Sequence, residues 1–369
     1  MCRGPQNADA LPVMTRLLVL KTGALGDVLR TTSVLRGLAQ AHADLDVTWV
    51  TAPAALPLVE RHPCVQRVVL VDPTDAEAVH QIGDNLASEP FDWILSLDDE
   101  LPLCELATTL ASASGAKVSG AYAEGEVRTY SDDVADWFDM GLLSKHGKDE
   151  ADRRKLENRR THPQIYAAML GVEPGTPELP LTDAERELAS ERLSRMDLVG
   201  TGPLIGLNTG AGGRWANKAM PTDEVVDLLH RLHNERGGRV QFLLLGGAAE
   251  EDRNRAIQER ARVVVPGLKL ADSRGDNSLI EFAALIDACD LLVTTDSMAL
   301  HVGLARGVRL VAVFAPTSPT EIDVGPRGEK VVSLARDAGS YRTDADNSTL
   351  TGERVAEAVQ RSLGHDFDA

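Results

Sequence analysis

An α/β chain built on doubly wound parallel sheets is predicted, on three observations. Apolar runs of the buried-strand kind recur along the chain, each followed by a polar or Gly-containing loop and a helix-spaced segment. The 369 residues suffice for two domains with full cores, and a Pro/Gly-rich stretch, Pro174 to Pro180, stands near the middle as a linker. The clearest βαβ unit lies late in the chain. There Leu291-Leu292-Val293 reads as a buried strand, Asp296 and Ser297 fall in a polar turn, Met298 to Arg306 is helix-like and stopped by Gly307, and Arg309 to Ala315 is a second buried strand. In open α/β sheets ligands bind outside the carboxyl ends of the strands, where helix N-termini offer amides to anions. The Asp296 turn is therefore a candidate site for the phosphates and sugar of a nucleotide donor.

Composition narrows the classes. Apolar residues make up 43% and charged residues 25%, the balance of an ordinary folded domain, which excludes wholesale disorder. A net charge of −18 argues against nucleic acid as a partner, because no basic excess exists to release counterions. Cys2, Cys64, Cys104 and Cys289 show no C-x-x-C spacing, which fits reduced thiols and no structural metal. No apolar run approaches the ~18 residues of a membrane helix. Residues 1–14 are polar without an apolar signal core, and Met14 is an alternative start. A cytoplasmic protein with at most peripheral membrane contact is expected.

Taken in order, Arg16 to Leu20 is the first parallel strand. It runs into Lys21-Thr22-Gly23-Ala24-Leu25-Gly26-Asp27 and then a helix with apolar Val28, Leu35 and Leu38 at helical spacing. The loop is neither G-x-G-x-x-G nor a P-loop, which weakens NAD and ATP-hydrolase readings. Asp27 at the helix start has two readings, a carboxylate favoured by the helix dipole or a chemical group. Val47 to Val50, Val68 to Val71 and Phe91 to Leu97 read as further strands. Asp98-Asp99-Glu100 after the last of these reads as a solvated loop in preference to a site. Gly120 to Arg160 breaks the alternation; it carries Tyr122, Tyr130, Trp137 and Phe138, then a mixed-charge run over 145–160 that reads as a solvated helix face or, less simply, as a surface for an anionic acceptor.

Thr182-x-x-Glu185 is a capping box opening a charged helix. Leu204 to Leu207 then begins a second α/β domain and leads into Asn208-Thr209-Gly210-Ala211-Gly212-Gly213-Arg214-Trp215-Ala216-Asn217-Lys218. Three glycines and two cations after a strand suit phosphate, through amides and charge together, although a glycine-rich connector has the same look. Val240 to Leu245 is a buried strand ending near Glu250-Glu251, where an acid can accept from ribose hydroxyls or cap the next helix. Ser278-x-x-Glu281 caps the helix that delivers the chain to the strand before Asp296, and Gly352 to Leu363 is the last helix. D-x-D triplets at Asp44/Asp46, Asp344/Asp346 and Asp366/Asp368 follow no convincing strand and imply no divalent metal.

Three stretches together resemble glycosyltransferase family 9, the ADP-heptose-dependent heptosyltransferases of lipopolysaccharide assembly. They are LVLKTGALGDVLRTTSVLRGL, IGLNTGAGGRWANKAMP and LIDACDLLVTTDSMALHVGLARGVRLVAVFAPTSPTEI, and their order and spacing match the family from Leu17 to Leu363. The resemblance implies a GT-B architecture, two Rossmann-like domains facing across a cleft. It divides the chain into a tail at 1–14, an acceptor-binding domain at 15–180, a nucleotide-sugar-binding domain at 181–350 and a helix at 351–364 crossing back to the first domain.

Matched motif to motif, Asp27 falls on the family's general base, with Lys21, Gly26 and Arg30 beside it toward the acceptor. Lys218 falls on the lysine that meets the donor diphosphate, within a loop whose Thr209, Gly210, Gly212 and Gly213 approach the donor. Asp296 falls on the acid that contacts the donor, Ser297 and Met298 on the phosphate-facing turn, His301 on the histidine after it, and Glu250 or Glu251 on the residue that holds the ribose. The implied reaction is an inverting, metal-independent transfer of a heptose or related sugar from ADP-heptose to a hydroxyl of a glycan, lipid-linked or small-molecule acceptor. No cofactor is implied, the nucleotide sugar being a substrate.

Two departures stand out. Met298 replaces a glycine common in the family, and Ser33 a proline; a Ser-Met turn with a T-S-P-x-E-I tail is similar to one branch. Cysteines clustered before the last helix in such members are missing from Val331 to Gly364, so no metal knot carries over. A catalytically silent scaffold and a GT-B-like nucleotide-sugar epimerase are the alternatives, and retention of Asp27, Lys218 and Asp296 together speaks against the first.

Overall fold

Apolar runs that are buried on both faces become the central strands of two six-stranded sheets. The computed structural model describes residues 14–200, 202–212, 216–326 and 328–364. The first sheet holds β1 (Thr15–Leu20), β2 (Leu45–Thr51), β3 (Arg67–Leu70), β4 (Trp93–Ser96), β5 (Lys117–Glu124) and β6 (Val127–Tyr130), in the order β3-β2-β1-β4-β5-β6. Its strands are parallel except β6, which runs antiparallel to β5. The second holds β7 (Leu204–Asn208), β8 (Gln241–Leu244), β9 (Lys269–Asp272), β10 (Leu291–Thr295), β11 (Arg309–Phe314) and β12 (Glu329–Val332), in the order β12-β11-β10-β7-β8-β9, all parallel.

Both sheets thus wind outward in two directions from a central pair, β1 beside β4 and β7 beside β10, with Leu18 opposite Ile94 and Val293 opposite Leu207. That pair is the topological switch point, where the loops leaving the strand ends diverge and leave a crevice. The central strands are the ones read most easily from sequence, because Leu17–Leu20, β7 and β10 have no solvent-facing side. The unexpected strands β9 and β12 are sheet edges, four residues each and half-buried, so their charges Lys269, Asp272, Glu329 and Lys330 hide the pattern. The hairpin β5–β6 occupies the start of the segment that breaks the alternation.

The second core closes on helices Thr222–Glu235 and Gly352–Leu363, whose Leu228, Leu229, Val355 and Val359 meet Phe242, Val293 and Val311. Both capping boxes form, with Thr182 and Ser278 accepting from the amides of Glu185 and Glu281 and each glutamate accepting in return. Helix Met298–Arg306 ends at Gly307 in the left-handed region (φ 68°).

The chain divides into two compact units. One is the chain up to Ala151 together with Pro163–Gly175, the other Asp152–His162 together with the chain from Thr176 onward. The division after Gly175 lies within the Pro174 to Pro180 stretch, and a Cβ at Gly175 would lie 2.4 Å from the Ser33 carbonyl oxygen of the first unit. Residues 152–162 join the second unit, with Lys155 Nζ 3.7 Å from the centre of the Tyr341 ring. The apolar face of the last helix, Val355, Ala356, Ala358, Val359 and Leu363, is buried in the second unit's own core.

Candidate functional site

In the second unit the switch point gathers two loops. One follows β7 and runs from Thr209 to Met220, closed at its neck by the Met220 amide donating to the Thr209 carbonyl (3.1 Å). The other is the turn Asp296-Ser297 after β10, which opens helix Met298–Arg306. They are joined twice: Thr295 Oγ1 donates to the Gly210 carbonyl (2.5 Å), and Asn208 Nδ2 donates to Ser297 Oγ (3.0 Å). Ser297 is extended (φ −147°, ψ 179°) and makes no side-chain cap, so its hydroxyl does not occupy the first-turn amides of the helix.

Lys218 reaches across this junction. Its Nζ donates to Asp296 Oδ2 (2.9 Å) and to the Asp296 carbonyl oxygen (3.1 Å). Burial would raise the Asp296 pKa, but the charges of Lys218 and His301, with the Thr317 hydroxyl, outweigh it and hold the carboxyl below its ordinary value. The pair keeps about a fifth of each side chain exposed, so a ligand can reach it (Lys218 18%, Asp296 20%). His301 is buried in the same group.

Glu250 and Glu251, equivalent in sequence, part company. Glu250 is 8% exposed and accepts from the Gly212 amide (2.8 Å) through Oε1 and from the Gly247 amide (3.0 Å) through Oε2. Each carboxylate oxygen can accept more than one hydrogen bond, so the two amides leave capacity for hydroxyl donors. Glu251 is exposed at the start of helix Glu251–Val264. Gly210 permits this arrangement, since a Cβ there would lie 2.4 Å from Glu250 Cγ. Gly210→Ala is expected to displace Glu250 and to destabilise the fold by about 1–3 kcal/mol, as overpacking does; an unchanged melting temperature would show that the loop absorbs the methyl group. Gly213, with Arg214 and Trp215, lies outside the described residues.

The first unit brings a different set to its switch point. After β1, Lys21 is buried and ion-paired to Asp98, which follows β4. Asp98 Oδ2 also accepts from the Thr22 amide and from Thr22 Oγ1 (2.7 Å), and the Lys21 carbonyl accepts from Trp49 Nε1 (3.0 Å). The solvated loop expected at Asp98-Asp99-Glu100 is thus wrong at its first position, because Asp98 (5% exposed) is the counter-charge of a buried lysine. Lys21 braces the loop from below. Asp98→Ala should cost about 3–5 kcal/mol, since Lys21 would be left buried without its carboxylate. Urea denaturation measures this, and a shift below 1 kcal/mol would overturn the bracing role.

The same loop leads to helix Leu25–Thr31, where Gly26 is half-buried and Asp27 sits in the first turn. Asp27 Oδ1 is 3.1 Å from Arg30 Nε, and its side chain is 40% exposed. The Arg30 guanidinium lies 5.0 Å from the centre of the Trp137 ring, which meets Tyr166 edge-on (5.3 Å). The aromatic part of the irregular segment therefore packs beside the Asp27 helix. The basic run is largely engaged with its own surroundings, Lys145 over Tyr130 and Arg153 with Glu157.

Sequence reasoning missed Asn208, Thr295, Asp98 and Arg253. The first three lie at strand ends where polarity was a usable signal. Arg253 had none, as one of several charged residues following Glu250-Glu251.

Two Rossmann-like units wound in the same order, with polar loops collected at each switch point, make this an α/β protein of the GT-B class. The chain belongs to glycosyltransferase family 9 (heptosyltransferase), whose model matches residues 131–349, more than half of its length. It is 30% identical over 143 residues to lipopolysaccharide heptosyltransferase 2 of Salmonella typhimurium, a match that spans 39% of this chain and 39% of that protein. Among solved structures, the family 9 glycosyl transferase of Veillonella parvula superposes with a TM-score of 0.70 at 20% identity, over 96% of this chain and 99% of that one. The ADP-heptose LPS heptosyltransferase II of E. coli gives 0.64 at 17% identity, over 95% and 98%. At such identities the structures establish the fold. No helix among the described residues is long and apolar enough to cross a membrane.

Proposed function

We propose that this protein is an inverting, metal-independent glycosyltransferase that moves a heptose or related sugar from ADP-heptose to a hydroxyl of a glycan or other acceptor. The observation that carries the reading is the Lys218–Asp296 contact at the β7/β10 switch point, beside the first turn of helix Met298–Arg306. A leaving diphosphate gathers negative charge in the transition state, and an ammonium with helix amides beside it lowers that barrier. In this reading Thr209, Gly210, Gly212, Ser297 and Met298 border the phosphates, His301 supports Asp296, and the remaining acceptor capacity of Glu250 receives the ribose hydroxyls. Asp27 takes the proton of the acceptor hydroxyl as that oxygen attacks the anomeric carbon and the bond to the diphosphate breaks. Arg30 holds the Asp27 carboxylate, and Lys21 and Gly26 shape the loop toward the acceptor.

The reading is tested by nucleotide and by product. ADP is expected to raise the melting temperature more than UDP, GDP or CDP, and ADP-heptose is expected to release ADP in proportion to glycosylated acceptor. Stabilisation by UDP in preference to ADP, or sugar interconversion without an acceptor, would overturn it.

A further inference from the structure

We infer that Arg253 is a positioning residue for the donor, acting together with Glu250 as a clamp that holds Thr209–Gly212 and Ala216–Met220 in place to receive it; this rests on the donor reading above. Arg253 lies in the first turn of helix Glu251–Val264, and its guanidinium grips the loop at its neck. Nη2 donates to Thr209 Oγ1 (3.2 Å) and to the Met220 carbonyl, and Nη1 donates to Thr222 Oγ1 (3.3 Å) at the start of helix Thr222–Glu235. Three residues earlier, Glu250 holds the Gly212 amide. One turn of chain, 250–253, thus holds Thr209, Gly212 and Met220, and Lys218 lies in sequence between the last two of these.

A neutral side chain could staple a loop more cheaply. Desolvation pushes the Arg253 pKa down, and the charge of Glu250 is the one that counters it. Its Nε is buried and meets no acceptor among the described residues. A guanidinium kept at such expense beside a glycine loop gains when an anion occupies that loop, because its buried charge acts through a low dielectric. The planar fork also matters: three oxygens in fixed directions are met by one guanidinium and not by a single ammonium.

Two variants test this in the full-length protein, Arg253→Lys and Arg253→Met. Amide hydrogen exchange across residues 209–220 is expected to speed up in both, with the β7 and β10 amides unchanged. ADP affinity by calorimetry should fall about tenfold in R253M and about threefold in R253K, and donor KM should rise by more than kcat falls while acceptor KM stays constant. If R253M does not fold, R253K alone decides, since it keeps the charge and loses the fork. Wild-type exchange in the loop together with wild-type ADP affinity in R253K would overturn the inference. Faster loop exchange in a protein whose wild-type form binds no ADP would instead sustain the clamp and overturn the donor reading.

Discussion

Asp27→Asn is expected to leave ADP binding within about twofold and to lower kcat by roughly 10²–10⁴, the range that a positioned general base contributes. The substitution is nearly isosteric, so the loop from Lys21 to Gly26 keeps its shape. The fold loses little, because the Asp27 carboxylate is 40% exposed and solvent screens its pair with Arg30, and such surface pairs contribute ~0–1 kcal/mol. A collapse of rate with an intact melting temperature therefore separates chemistry from folding. Initial rates of acceptor-dependent ADP release, set beside calorimetric titration with ADP, measure both quantities. Full activity in the variant would remove Asp27 from the role of base and return it to a helix-start carboxylate.

Lys218→Ala carries the second large effect, on binding. Charge-assisted hydrogen bonds are worth about 1.5–3 kcal/mol, so ADP affinity should weaken by roughly 10- to 100-fold. The same variant alters acid stability in a direction set by Asp296. With Lys218 present, the Asp296 carboxyl titrates below its ordinary value. The stability this contributes is complete above the unfolded carboxyl pKa of about 3.9 and is lost as pH falls through the lower folded value. Without the ammonium the Asp296 pKa rises, and the variant should be destabilised relative to wild type at neutral pH while the gap narrows as pH drops below about 4. Denaturation midpoints at pH 7 and about pH 2, below the unfolded carboxyl pKa, test this; an equal gap at both, or an unchanged ADP affinity, would take Lys218 out of the site.

Much of this is legible in the sequence. The central strands announced themselves as uncharged runs, and helix Met298–Arg306 was bounded by Ser297 and Gly307 as its sequence implied. The edge strands β9 and β12 were not legible, because half-buried backbone at a sheet margin tolerates charge and resembles loop. The last helix was legible as a helix but not as to where it packs, since an apolar stripe says only that some core will cover it.

At the site the same line holds. The types that suit the chemistry, Asp27, Lys218 and Asp296 after strands, were set by local sequence, because strand, polar turn and helix follow from neighbours along the chain. Which of Glu250 and Glu251 turns inward, that Asp98 is buried against Lys21, and that Arg253 grips the neck of the glycine loop were decided only in three dimensions. Those contacts join residues 31 to 77 positions apart, and a carboxylate or guanidinium looks the same in sequence whether its partner is water or another strand end.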